Sequence, residues 1–190
     1  LSGYVYLICC FFVGLLFFVF VILALICVLF GINFLRLLSD IKEPILLAFS
    51  TASSESAMPK TIDALEKHGI SNRIVSFVLP LGYSFNLDGS IMYMTFATVF
   101  IAQSYGIEIT MADQIKMMLI LLVTSKGMAG VPRASLVVIA GMLSMFKIPG
   151  EGLLLLLAVD QLLDMGRSAT NVVGNAVASA VVARLEGEKF

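Results

Sequence analysis

Residues 79–96 read LPLGYSFNLDGSIMYMTF, an apolar run that carries Pro80, Gly82, Asn86, Asp88 and Gly89 in its middle. A helix in lipid accepts such residues least, because each backbone N–H or C=O freed by a break must find another partner. The run therefore predicts a broken helix at a place surrounded by protein or water. Carbonyls released by the break suit a small cation, and Asp88 would set negative charge beside them. A proline kink with a satisfied aspartate is the plainer account of the same residues. Asn86 and Asp88 beside the break favour the ion site.

The rest of the chain supports a membrane setting. Of 190 residues, 59% are hydrophobic and 13% charged, and the mean hydropathy is +1.02. Soluble domains hold about 45–50% apolar and about 25% charged residues, so the composition excludes an ordinary soluble domain. Residues 1–35 contain no charged side chain, enough for one crossing of about 20 residues. The stretch is too long, and lacks the basic start, for a signal peptide. Because the chain begins at Leu1, it is expected to be a fragment of a longer protein. Cys9, Cys10 and Cys27 fall in this segment and have neither metal-site spacing nor a disulfide framework, so they read as small hydrophobes. With a net charge of −1 and no basic stripe, no nucleic-acid partner is expected.

The order of segments gives an architecture. Residues 1–36 read as a transmembrane helix and 43–70 as a re-entrant hairpin with the serine-rich tip STASSESAMP. Residues 72–103 form the interrupted transmembrane helix, 114–148 a second re-entrant hairpin around TSKGMAGVPRAS, and 151–186 a polar-striped C-terminal transmembrane helix. The predicted fold is an all-α membrane protein with an inverted repeat, each unit a re-entrant hairpin plus a transmembrane helix. Arg36, Lys42, Lys67, Arg73, Arg184 and Lys189 fall on one side by this count, Lys116 and Lys147 on the other. The richer side should be cytoplasmic, which predicts a multi-pass protein of the cell (inner) membrane with a cytoplasmic C-terminus.

The last helix carries the chemistry. At about 100° per residue, Asp160, Asp164, Arg167, Ser168, Asn171 and Asn175 lie within one arc of roughly 100°, and the remaining positions are apolar or small. A charge facing lipid at the bilayer centre costs at least about 2.5–3.5 kcal/mol, so this face must look at protein or water. Asp164 and Arg167, at i and i+3, could be a structural ion pair alone. A second carboxylate, two amides and a hydroxyl exceed what one pair needs, and the surplus reads as a binding surface. The serine-rich tip would offer hydroxyls, N–H groups and a helix N-terminus to an anion. The glycines of GMAGVP would make a moving gate.

STASSESAMP, NLDGS, GMAGVP and DMGRSATNVVGN, in that order from Ser50 to Asn175, resemble the dicarboxylate/amino acid:cation symporter family, which includes archaeal aspartate and mammalian glutamate transporters. The resemblance implies the C-terminal part of an elevator transport domain, starting at the family's sixth helix. It would move against a scaffold that forms a homotrimer through helices absent from this chain. It implies symport of an acidic amino acid across lipid, no cofactor, H+ or Na+ as coupling ion, and no metal beyond an alkali cation. By position, Arg167 would clamp the substrate's side-chain carboxylate and Asp164 its amine. Ser168 and Asn171 would hold other polar groups, Ser53, Ser54, Gly130 and Val131 would close from the two tips, and Ser90 would line the pocket. Gly82, Asn86, Asp88, Asn171 and Asn175 match cation-site positions.

Departures from the family pattern steer the coupling ion. Asn175, Leu87 and Met128 stand where sodium-coupled members carry aspartate, methionine and threonine, and Met94 stands where mammalian members carry the proton-bearing glutamate. Lys126 is a candidate surrogate for a bound cation and Glu55 a candidate proton carrier. The combination resembles the proton-coupled bacterial glutamate/aspartate symporters. Arg133 stands beside a position often occupied by glycine, and the sequence gives no reason for it. The alternatives are a sodium-coupled acidic amino acid symporter and a C4-dicarboxylate symporter, whose carboxylates Asp164 would repel. More remote are a channel, which needs no zwitterion clamp, and an intramembrane aspartyl protease pairing Asp88 with Asp160 or Asp164. That dyad needs a shared proton, which Arg167 opposes.

Overall fold

A computed structural model describes residues 2–126 and 131–190, and among these residues the chain is helical with no strand. α1 (Ser2–Phe17) passes through one π-helical turn (Phe18–Leu23) into α2 (Ala24–Leu29) as a continuous rod. The rod stops before residue 36. Gly31 takes φ +65°, and the Gly31 and Ile32 N–H groups return to the Val28 and Cys27 carbonyls at 3.1 and 2.8 Å, a glycine C-cap that spares any Cβ the left-handed conformation. Asn33 then starts α3 (Phe34–Asp40) by accepting the Arg36 N–H at 3.0 Å, an ordinary N-cap. The stop and start signals at Gly31 and Asn33 thus outrank the absence of charge as markers of the helix end.

α4 (Lys42–Thr51) and α5 (Met58–His68) are joined by the serine-rich tip, which includes a single 3-10 turn at Glu55–Ala57. Lys60 pairs with Glu43 to tie α5 to α4, and His68 Nδ1 meets Asp40 Oδ2 at 2.6 Å to tie α5 to α3. α6 (Asn72–Phe85) and α7 (Asp88–Ser104) are separated by Asn86 and Leu87, both outside helical geometry. α8 (Met111–Thr124) and α9 (Ala134–Met145) both pack on α7. The final segment is broken as well: a 3-10 turn at Gly150–Gly152 and α10 (Leu153–Leu156) precede α11 (Asp160–Leu185). No glycine or proline marks the gap at 157–159. The first residue of α11, Asp160, is fully buried.

α11 is the axis. It touches α4, α5, α6, α7, the α1 rod and its π-turn, and two apolar cores form along it. One gathers Leu7, Phe11, Leu15, Tyr93, Ala97, Ile101, Met117, Ile139 and Leu163; the other gathers Val19, Leu23, Cys27, Leu37, Leu65, Val75, Leu79, Val173, Ala176 and Ala180. Between them lies the polar stretch of α11. Lipid tails remove the hydrophobic drive between helices, so association depends on close packing of small residues. A Cβ on Gly89 would strike the Arg167 carbonyl and Thr170, and one on Gly82 would strike the Asn175 amide. The glycines therefore set how closely α6 and α7 approach α11.

Two outcomes test this packing. Gly89→Ala should lower the thermal unfolding midpoint of the full-length protein by the equivalent of about 1–3 kcal/mol, the usual cost of overpacking. Gly141→Ala, which meets nothing within 4 Å, should leave the midpoint unchanged or raise it by up to about 1 kcal/mol through helix propensity. At the C-terminal end, the Ser71 hydroxyl and N–H donate to Glu188 at 2.5 and 3.1 Å, which holds the Glu188 carboxyl below its ordinary range. A depressed carboxylate stabilises the docked tail above the ordinary glutamate pKa and loses that effect as pH falls through the lowered value. Exchange of the Ser71 amide, corrected for intrinsic rates, should accelerate selectively as the pH is taken from about 7 to about 3.

Candidate functional site

The polar face of α11 is closed off from the surroundings: Asp160, Asp164, Arg167, Ser168, Asn171 and Asn175 are all fully buried. Burying a guanidinium demands a counter-charge and acceptors for its donors. Arg167 Nε pairs with Asp164 Oδ1 one turn earlier on the same helix. Nη1 donates to Ser90 Oγ at 3.0 Å, and Nη2 to the Val131 carbonyl at 3.0 Å. Among the described residues, three of its five N–H donors have a partner. The second Asp164 oxygen accepts the Arg133 backbone N–H at 2.9 Å.

The helix break at Asn86–Leu87 delivers α7 end-on to this cluster. Leu87, at the N-terminus of α7, cannot cap it. Asn171 does so from α11, its Oδ1 accepting the Gly89 and Ser90 N–H groups at 2.9 and 3.3 Å. Those are donors that every helix start leaves open. Its Nδ2 donates to Ser90 Oγ at 2.9 Å. Asp164, Arg167, Ser90, Asn171 and the Val131 carbonyl thereby form one hydrogen-bonded network drawn from α7, α11 and the segment before α9.

The candidate cation residues lie one turn along. Asn86 Nδ2 donates to Asn175 Oδ1 at 3.2 Å, and the Gly82 carbonyl accepts the Asn86 N–H at 2.7 Å. Asp88 Oδ2 would stand 2.9 Å from a Cβ on Gly174. Lys126 donates from Nζ to the Phe85 carbonyl, at the end of α6, where a cation is favoured by the helix dipole.

The first tip sits against the axis through Ala48, Ala57 and Val172. Ser54 is fully buried there, while Ser53 Oγ accepts the Ser56 N–H at 3.3 Å and Glu55 is exposed at the start of the 3-10 turn. Gly130 lies outside the described residues. Among the described residues, the buried Ser54 and Ser168 hydroxyls and Asn175 Nδ2 have no hydrogen-bond partner, although buried polar atoms normally have one.

The sequence reading missed a second charged pair. Asp160 accepts the Tyr93 hydroxyl at 2.5 Å on Oδ1, and Arg133 Nε stands 3.4 Å from its Oδ2. The place of Asp160 in the stripe was the signal for it; Tyr93 and Arg133 have none in a linear pattern. Two carboxylates and two guanidiniums make the whole cluster formally neutral. Asp164→Ala strands the buried Arg167 charge and should cost about 3–5 kcal/mol of stability, whereas Asp164→Ala combined with Arg167→Met removes both charges and should recover most of that loss. Equal unfolding midpoints for the two variants would contradict this arrangement.

A family model described as the sodium:dicarboxylate symporter family matches residues 1–185. The proton/sodium-glutamate symport protein of Bacillus caldotenax is 47% identical over 174 residues, which cover 92% of this chain and 41% of that protein. The proton/glutamate-aspartate symporter of Escherichia coli (strain K12) is 48% identical over 173 residues, covering 91% of this chain and 40% of the relative. A C4-dicarboxylate transport protein of Bacillus subtilis (strain 168) is 45% identical over 172 residues, covering 90% and 41%. The chain thus spans about two fifths of the length of the curated relatives it matches. A match running almost end to end, on a helical chain whose ionisable groups converge on one buried network, establishes that this chain belongs to the sodium:dicarboxylate symporter family.

Proposed function

We propose that this chain forms the substrate- and ion-binding part of a cation-coupled symporter for acidic amino acids, glutamate or aspartate, with the proton as coupling ion. The observation that carries the reading is the buried Arg167, which among the described residues has two N–H donors without a partner, on the same helix as a buried Ser168 hydroxyl that also has none there. The cluster is already neutral, so an amino acid of net charge −1 would bring one uncompensated negative charge into a low-dielectric site. That cost is removed if a cation enters with it, which is the physical basis for coupling.

Two features favour the proton over sodium in this reading. Asn175 contributes an amide where a carboxylate would attract Na+, and the Lys126 ammonium is placed on a carbonyl freed by the break. The segments 43–70 and 114–148 act as re-entrant hairpins whose tips close over the substrate, and Ser53, Ser54, Gly130 and Val131 contact it. Asp164 binds the amine once the Arg133 N–H releases it. Glu55 is the candidate carrier of the coupled proton. The chain works as part of an elevator domain in a homotrimer of the cell membrane, with its C-terminus in the cytoplasm.

A C4-dicarboxylate is the second reading. Both Asp164 oxygens are engaged by Arg167 and Arg133, so its charge is partly quenched and repels a second substrate carboxylate less than an isolated aspartate would. Uptake of labelled glutamate by the full-length protein in proteoliposomes distinguishes the readings. A pH gradient, acid outside, should drive uptake without sodium, and aspartate should compete at least about tenfold better than succinate, the equivalent of one lost charge-assisted hydrogen bond. Strict dependence on a sodium gradient would reject proton coupling, and equal competition by succinate would reassign the substrate.

A further inference from the structure

Among the described residues, three contacts hold Val131 and Arg133 down on α11. Arg167 Nη2 donates to the Val131 carbonyl at 3.0 Å, and the Arg133 N–H donates to Asp164 Oδ2 at 2.9 Å. Both use groups that a substrate would claim in the transport reading, so both must be surrendered when it binds. The third contact is different. Arg133 Nε lies 3.4 Å from Asp160 Oδ2, and neither side chain belongs to the substrate network.

We propose that the Arg133–Asp160 ion pair is a latch that positions the segment around Val131 and Arg133 over the buried Arg167 and Asp164, whether or not a ligand is present. The proposal rests on the transport reading only for its purpose; the geometry stands without it.

The backbone supplies the first argument. Arg133 adopts φ +63°, ψ +5° at the start of α9, a conformation that glycine enters freely and a side chain disfavours. Such a residue persists only where its surroundings hold it. The side chain is held by its ion pair with Asp160 while the strained backbone turns the Arg133 N–H onto Asp164. The second argument is asymmetry. Asp160 is fully buried and keeps the Tyr93 hydroxyl at 2.5 Å, whereas the Arg133 side chain is 62% exposed. When the pair parts, the guanidinium can swing into water while Asp160 retains a hydrogen bond. A latch built this way can open without leaving a bare buried charge.

Arg133 is therefore a positioning residue, tested by access to the space beneath the segment. Ser135, in the first turn of α9, is fully buried, and its hydroxyl has no hydrogen-bond partner among the described residues. In the full-length protein cleared of native cysteines and carrying Ser135→Cys, maleimide labelling in the absence of substrate should be slow. Arg133→Gly and Asp160→Asn should each accelerate it about fivefold, the size expected of an ion pair with one partner open to water, and the double variant should be no faster than either. Arg133→Gln takes the place of Arg133→Gly if the glycine variant fails to elute as the parent does. No acceleration in either single variant, or two accelerations that multiply, overturns the latch. Normal uptake with no such coupling discards the latch and keeps the transport reading; coupling in a protein that carries neither acidic amino acids nor dicarboxylates does the reverse.

Discussion

A guanidinium excluded from water has to be met by a counter-charge and by acceptors, and much of the organisation of this chain follows from meeting that demand at Arg167. One acceptor comes from its own helix, at Asp164, where the i, i+3 spacing sets the two side chains together. The others cannot. Ser90 reaches Arg167 from the first turn of α7, which starts at the cluster, and the Val131 carbonyl reaches it from residues 131–133, which are not helical. At Val131 irregular backbone serves the buried charge directly, since a continuous helix uses its own carbonyls internally and presents none sideways; Ser90 serves it through a side chain.

Much of this was legible in the sequence, and the reasons are physical. That the run around NLDGS is interrupted was readable, but not where: Pro80 and Gly82 lie within α6 and Gly89 within α7, and the break falls at Asn86 and Leu87. Ser53, Ser54 and Ser56 of STASSESAMP do fall between α4 and α5. The one-sided placement of Asp160, Asp164, Arg167, Asn171 and Asn175 could be computed from helical geometry alone. What escaped depends on contacts between distant segments. The gap between α10 and α11 falls at the end of a leucine run with no breaker, and the first residue past it, Asp160, takes its partners Tyr93 and Arg133 from distant segments. The capping of α7 by Asn171 is invisible for the same reason, since a helix is normally capped by its own neighbouring residue and this one borrows a side chain 82 positions away.

The two tips share a feature that composition hides. The first α4 residue beyond the helix, Ala52, and the residue before α9, Arg133, are both left-handed without being glycine. In each case the chain turns at the edge of the buried polar face. Tension of this kind is held by the contacts around it, so the tips are places where a modest change in partners, such as an arriving anion, can shift the preferred backbone.

The α1 rod buries Leu7, Phe11, Leu15, Val19, Leu23 and Cys27, always four residues apart. In a straight α-helix of about 3.6 residues per turn, a strict spacing of four drifts steadily around the cylinder. The first three of these residues join one core and the last three the other, and the wide turn at Phe18–Leu23 straddles the handover. That turn acts as a phase shifter: by locally slowing the helical advance it offsets the drift, so that one strut keeps its four-residue stripe turned toward both cores.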